Sequence, residues 1–378
     1  MTSLTLFFAT NRNHEGDQWA PKSYGSKFSK DGMENLRFGR VSVEASDKKI
    51  QKFLKKKMKD CGVGDGEGLS EYLADQAKSA KIKGYKEVID KDTPESLQKP
   101  KLGSKAAFAD LQTAMKACSD VLVYIHGFNV DWFQAVGSAL SLQTMLQNTG
   151  DKKNKNVVVI LFTWPSDGMA LPWVSYKSDR SEAQGSGAAV GRALLKTRDF
   201  LIELRGREKN GGEKLCNQSI HLACHSMGNF LLQEVLLRMS DHTPGNTLPR
   251  IFEHVFLCAP DVDDTALESG QPLEKISQIT RNVTIYHNRG DVAMVVSDYT
   301  KGQPERLGGA GAAHPLLLHN KVHQVDCTPI VHGLVEHSYY LVGNVLKDIR
   351  LSIDGVNQDN KKKRNRDSGA QKNIWVMK

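Results

Sequence analysis

Nowhere does the 378-residue chain run the roughly 20 consecutive apolar residues that a helix needs to cross a bilayer. The first residues, MTSLTLFFATNRN, lack a basic leader and a small-residue cleavage site, so they read as a strand rather than a signal peptide. The six cysteines (Cys61, Cys118, Cys216, Cys224, Cys258 and Cys327) include no C-x-x-C pair and no His/Cys spacing of a zinc site. Neither a disulfide framework nor a metal centre is therefore expected. Cys224 and Cys258 fall in apolar strand patterns, where free thiols behave as small hydrophobes, and a reducing cytoplasm fits best.

A hydrophobic content of 39% and a mean hydropathy of −0.43 describe an ordinary soluble protein, long enough for a sizeable core. The formal net charge of +8 is concentrated in two runs, Lys48–Lys59 and Lys361–Arg366. Such runs could contact nucleic acid or an anionic membrane. No nucleic-acid motif accompanies either, and a solvated helix face and a disordered tail are the preferred readings.

One stretch organises the rest: Ser219–Phe230, SIHLACHSMGNF. Ile220, Leu222 and Cys224 alternate with His221, Ala223 and His225, the period-two pattern of a buried strand. Ser226 follows, and from Asn229 the apolar residues Phe230, Leu231, Leu232, Val235 and Leu236 recur at helical spacing. A serine at a sharp strand-to-helix bend is a nucleophile elbow, its hydroxyl exposed above the sheet and the helix N-terminus beneath it. The elbow pattern G-x-S-x-G reads here as Cys224-His225-Ser226-Met227-Gly228. A bare S-x-G could equally cap a helix, so the other parts of the machinery must decide.

Short apolar runs alternate with helical patterns from Asp120 onward: Val121–Ile125, Val157–Phe162, the elbow strand, Val255–Cys258, Val283–Tyr286 and Val322–Val325. This is an α/β architecture, a mostly parallel sheet covered on both faces. Residues 1–46 read as an N-terminal strand extension and 47–105 as a lysine-rich surface excursion. Residues 106–352 form the core, and 353–378 a basic, disordered tail. In such sheets reactive groups collect at the carboxyl ends of the strands. After Val283–Tyr286 comes Asp291, and after the last core strand come His332 and His337. Serine, carboxylate, histidine is the order of a hydrolase triad. Asp261 and Asp263, after Val255–Cys258, are alternative acids, and His332 is an alternative base. His225 points away from Ser226 and is read as supporting structure. The N–H groups of Met227 and Phe128 could hold an oxyanion.

The blocks TLFFATNR, LVYIHGFNV, FTWPSDG, YKSDRSEAQGSG, HLACHSMGN, FLCAPDVDD, IYHNRGDVAM and EHSYY together resemble the α/β-hydrolase superfamily, and within it a bacterial family known only as a domain of unknown function. The resemblance implies Ser226 as nucleophile, His337 as base and Asp291 as acid, with no cofactor. It also implies an acyl-enzyme reaction on a small-molecule or lipid-like ester. Lipase, thioesterase and amidase activities remain alternatives on the same scaffold, as does a non-catalytic binding protein. His126, Phe128, Asn129, Trp164, Trp173, Tyr176 and Arg180 are placed to line the pocket. Asp179 and Arg180 are expected to form a buried ion pair, and Ser297–Asn320 to act as a flap.

Overall fold

The computed structural model describes residues 1–87, 103–115, 118–149, 156–166, 172–209, 219–294, 305–331 and 337–378. The strands are β1 (Thr2–Thr10), β2 (Arg12–Gly16), β3 (Pro21–Phe28), β4 (Arg37–Ala45), β5 (Lys57–Met58), β6 (Gly62–Val63), β7 (Lys81–Gly84), β8 (Cys118–Ile125), β9 (Asn156–Thr163), β10 (Ser219–His225), β11 (Phe252–Cys258), β12 (Thr280–His287), β13 (Val322–Asp326), β14 (Arg366–Ser368) and β15 (Ile374–Met377). The longer helices are α1 (Asp47–Leu54), α2 (Gly66–Ala77), α3 (Gly103–Met115), α4 (Trp132–Asn148), α5 (Pro172–Lys209) and α6 (Gly228–Asp241), with Gly343–Ile353 after them.

Among the described residues, eleven strands make one sheet in the order β14-β15-β13-β12-β11-β10-β8-β9-β1-β4-β7. Every neighbouring pair from β15 to β1 is parallel, while the edge pairs β1–β4, β4–β7 and β14–β15 are antiparallel. Alternation along the central strands sends Leu122, Tyr124, Ala223 and Phe256 to one core, and Ile125, Leu222, Cys224 and Leu257 to the other. Both faces are thus buried, which is why these strands read as unbroken apolar runs. Asp131 starts α4 with a capping box, its carboxylate accepting from Gln134 N–H while the Gln134 side chain accepts from Asp131 N–H. Among the described residues no helix is long and apolar enough to cross a membrane.

The N-terminal strands extend the sheet as expected: β1 pairs in parallel with β9, Phe7 opposite Ile160, and β4 pairs antiparallel with β1. Two expectations need correction. Residues 47–87 are not a surface excursion. Ile50, Leu54, Leu69 and Leu73 are buried in the same core as α4, and β7 extends the sheet. The lysines of α1 obscured this because they occupy only its outer face.

The basic tail is ordered. β15 pairs in parallel with β13, and Trp375 and Met377 are buried. The run KKKRNR hides two buried arginines: Arg364 and Arg366 donate to the buried carboxylate of Asp348 at 2.8 and 2.9 Å, and Tyr286 Oη donates to it at 2.8 Å. Arg366 also lies over the Trp375 ring. Composition suggested a solvated tail, whereas the alternate residues of the run are neutralised beneath the sheet. Lys361, Lys362 and Lys363 remain exposed.

Candidate active site

Ser226 sits between the end of β10 and the start of α6 with φ of 51°, in the left-handed region. For a residue with a Cβ this conformation costs on the order of 1–3 kcal/mol and persists only where the surroundings impose it. They do so through the backbone. Ser226 N–H donates to Cys258 O at 2.9 Å, and Asp261 N–H donates to Ser226 O at 3.2 Å. Asn229 Nδ2 donates to Cys224 O and Ser226 O, at 3.1 and 3.0 Å, binding the end of the strand to the first helical turn. Two glycines make room. A Cβ on Gly228 would lie 2.7 Å from His126 O, and one on Gly127 would lie 2.8 Å from Ser226 Cβ. Cys224, where the elbow pattern has glycine, points into the core without strain on the bend.

His337 lies in a loop whose following tyrosines act as anchors. Tyr339 Oη donates to Tyr286 O at 2.9 Å, and Tyr340 Oη bonds Tyr124 Oη at 2.6 Å. The His337 ring meets the buried carboxylate of Asp291, with Nδ1 2.7 Å from Oδ2. Asp291 Oδ1 accepts from Ala293 N–H at 3.0 Å, which fixes the carboxylate. A carboxylate only accepts, so Nδ1 carries a proton, and in the neutral ring Nε2 keeps its lone pair. Nε2 is buried and has no hydrogen-bond partner. His225, beside Ser226, packs its ring 4.6 Å from that of His337, and its Nε2 reaches His337 O at 3.2 Å. Burial, then the neighbouring His337, hold His225 well below the usual imidazole range, so it stays neutral.

The alternative acids are engaged elsewhere. Asp261 accepts from Tyr176 Oη at 2.8 Å and lies 3.4 Å from Arg306 Nε, while Asp263 bonds Arg306 Nη1. His332 lies outside the described residues, as do residues 297–304 of the expected flap.

The HGFN turn after β8 holds Phe128 partly buried, its ring 5.6 Å from that of Tyr176. Asn129 has φ of 56° and donates its N–H to Asp179 Oδ2 at 2.8 Å. Not every expected pocket residue faces a pocket. His126 is buried with both ring nitrogens engaged, Nδ1 with Gly127 O at 2.8 Å and Nε2 with Thr163 Oγ1 at 2.9 Å. Trp164 stacks on His126 and donates Nε1–H to His126 O at 3.1 Å, which makes it core. Asp179 accepts from Asn129 N–H and Ser166 Oγ, while Arg180 lies over the Phe230 ring, 3.6 Å from its centroid. Consecutive helix positions point these two side chains apart. The side chain of Trp173 is outside the described residues. The sequence reading missed Asn229, Arg12 and Thr163; the one signal for the last two was their place at or just beyond the end of an apolar strand.

A parallel sheet with helices on both faces and a strained serine between strand and helix are the features of an α/β hydrolase. The chain belongs to the family described as alpha/beta hydrolase of unknown function (DUF900), whose match covers residues 104–353. Among solved structures it is similar to EstE1, a thermophilic and thermostable carboxylesterase cloned from a metagenomic library. That likeness has 14% identity over 64% of this chain and 80% of the other, with a TM-score of 0.31. It is also similar to a hyperthermophilic esterase from the archaeon Pyrobaculum calidifontis, with 13% identity over 63% of this chain and 77% of the other and a TM-score of 0.30. No curated protein matches the sequence.

Proposed function

We propose that the chain is a serine hydrolase that cleaves a carboxylic ester through an acyl-enzyme. The observation that carries this reading is the His337–Asp291 pair at 2.7 Å, with His337 Nε2 buried and unpartnered and its ring 4.6 Å from that of His225, the residue before the strained Ser226. Ser226 Oγ attacks the carbonyl carbon and its proton passes to His337 Nε2. The oxyanion accepts from Met227 and Phe128 N–H; the first is a helix N-terminal donor with no intrahelical acceptor. Collapse expels the alcohol, which takes the proton from His337. Water then gives a proton to the same nitrogen, attacks the acyl carbon and frees the acid. Asp291 keeps the tautomer and balances the imidazolium, so no metal or organic cofactor enters the scheme. The substrate is a small-molecule or lipid-like ester, and the buried thiols of Cys61, Cys224, Cys258 and Cys327, none of them in a disulfide, suit a reducing cytoplasm.

A fluorophosphonate probe and a p-nitrophenyl acyl-ester series on wild type and Ser226→Ala test this. Labelling and turnover lost only in the variant support the reading. A wild type that neither labels nor turns over any ester overturns it and leaves a binding protein with a hydrolase fold. Chain-length and leaving-group preference separate esterase from lipase, thioesterase and amidase.

A further inference from the structure

The candidate oxyanion turn is held by a directional chain of hydrogen bonds that begins outside the family-matched region, in the segment after β1. Arg12, 1% exposed, donates Nε–H to Thr163 Oγ1 at 2.8 Å. A hydroxyl that accepts there has its own proton free to donate, and Thr163 Oγ1 lies 2.9 Å from His126 Nε2. The opposite nitrogen, Nδ1, lies 2.8 Å from Gly127 O, which only accepts, so Nδ1 carries the hydrogen and Nε2 must accept. Burial and the Arg12 charge lower His126 to about 3, which keeps the ring neutral and the direction of the chain fixed.

Gly127 C=O and Phe128 N–H belong to one peptide plane and point in opposite directions. Anchoring the carbonyl therefore aims the N–H. The far side of the turn is tied to the same guanidinium: Arg12 Nη2 donates to Val130 O at 2.7 Å and Nη1 to Ser166 O at 3.1 Å. Ser166 Oγ accepts from Val130 N–H at 3.0 Å and donates to Asp179, which accepts Asn129 N–H. Phe128 is thus bracketed on both sides by groups that answer to Arg12.

We infer that Arg12, acting through Thr163 and His126, is a positioning residue that orients the Phe128 N–H toward the developing oxyanion. The inference rests on the hydrolase reading above. It also explains what the segment after β1 does for a site built from residues more than a hundred positions later.

Thr163→Val removes the hydroxyl from the chain at nearly constant volume, and Arg12→Ala removes its origin. Both are measured with a p-nitrophenyl ester, with the matching trifluoromethyl ketone as an analogue of the tetrahedral state, and by thermal unfolding. Loss of one oxyanion donor typically costs about 10²–10³ in kcat, so misdirecting it is expected to lower kcat about 10- to 100-fold. Ketone affinity should fall by the same factor, with KM nearly unchanged, and millimolar guanidinium should restore part of the rate to Arg12→Ala. Folded Thr163→Val with wild-type kcat and ketone affinity overturns the inference. So does a loss that follows only the folded fraction. If Arg12→Ala does not fold, Thr163→Val decides. A wild type inert to both ester and fluorophosphonate overturns the hydrolase reading itself, a result distinct from either.

Discussion

Replacing Asp291 with asparagine is the sharpest test of how the proposed base works. The carboxylate meets His337 Nδ1 at 2.7 Å in a buried setting, and its other oxygen is fixed by Ala293 N–H. Asparagine keeps the shape but loses the charge. If its NH2 faces the ring, Nδ1 must become an acceptor, and the proton then sits on Nε2, where it blocks proton transfer from Ser226. If its oxygen faces the ring, the tautomer survives but the imidazolium formed during attack has no counter-charge. Two unit charges about 4 Å apart at an effective dielectric near 20 interact by about 4 kcal/mol, or about three powers of ten in rate. Asp291→Asn should therefore slow fluorophosphonate labelling and kcat by about 10³ to 10⁴, with KM and thermal midpoint little changed. Asp261→Asn, which loses a partner of Tyr176 rather than of the histidine, should stay within about tenfold. Near-normal labelling in Asp291→Asn with a dead Asp261→Asn would refute the assignment of the acid.

Gly127→Ala should abolish labelling and cost about 1–3 kcal/mol in urea unfolding, because the added methyl meets Ser226 Cβ at 2.8 Å; normal labelling would mean the turn and the serine are not in contact. Asp348→Ala leaves two guanidinium groups buried without their carboxylate and should cost about 3–5 kcal/mol. A loss under about 1 kcal/mol would place the tail in solvent. Stability should also fall in acid through His323, which burial and then the Arg366 charge lower to about 4. Above pH 6.5 the ring is neutral folded or unfolded; below it the unfolded chain binds the proton first. About 3 kcal/mol should disappear between pH 6.5 and 4 and be spared in His323→Gln, as read by urea unfolding across that range.

The elbow was legible because strand period, serine and helical period abut within a dozen residues. That His337 and Asp291 lie together was legible because a parallel sheet gathers its loops at one end. What could not be read was pairing across long separations. Arg12 looks like any cation after a strand until β1 is known to lie against β9. Arg364 and Arg366 belong to a run whose composition says solvent, and only the pairing of β14 with β15, and of β15 with β13, brings them to Asp348. Pocket-lining assignments failed for His126 and Trp164 for a related reason. Aromatic and imidazole side chains near a site serve equally well as its frame, and their partners, not their proximity, decide which.

The placement of β1 also bears on how the molecule is made. Leu6 and Phe8 on one face of that strand, and Ala9 on the other, are buried only when both flanking layers exist, and Phe7 opposes Ile160. The hairpin of β1 and β4 leaves the ribosome long before β9 does, presenting an apolar ribbon with an open edge throughout the interval. Folding must then close a loop of well over a hundred residues to insert that ribbon, and long-range pairing of this kind is intrinsically slow. The same wait governs the chemistry: Arg12 reaches Thr163 only once that loop has closed.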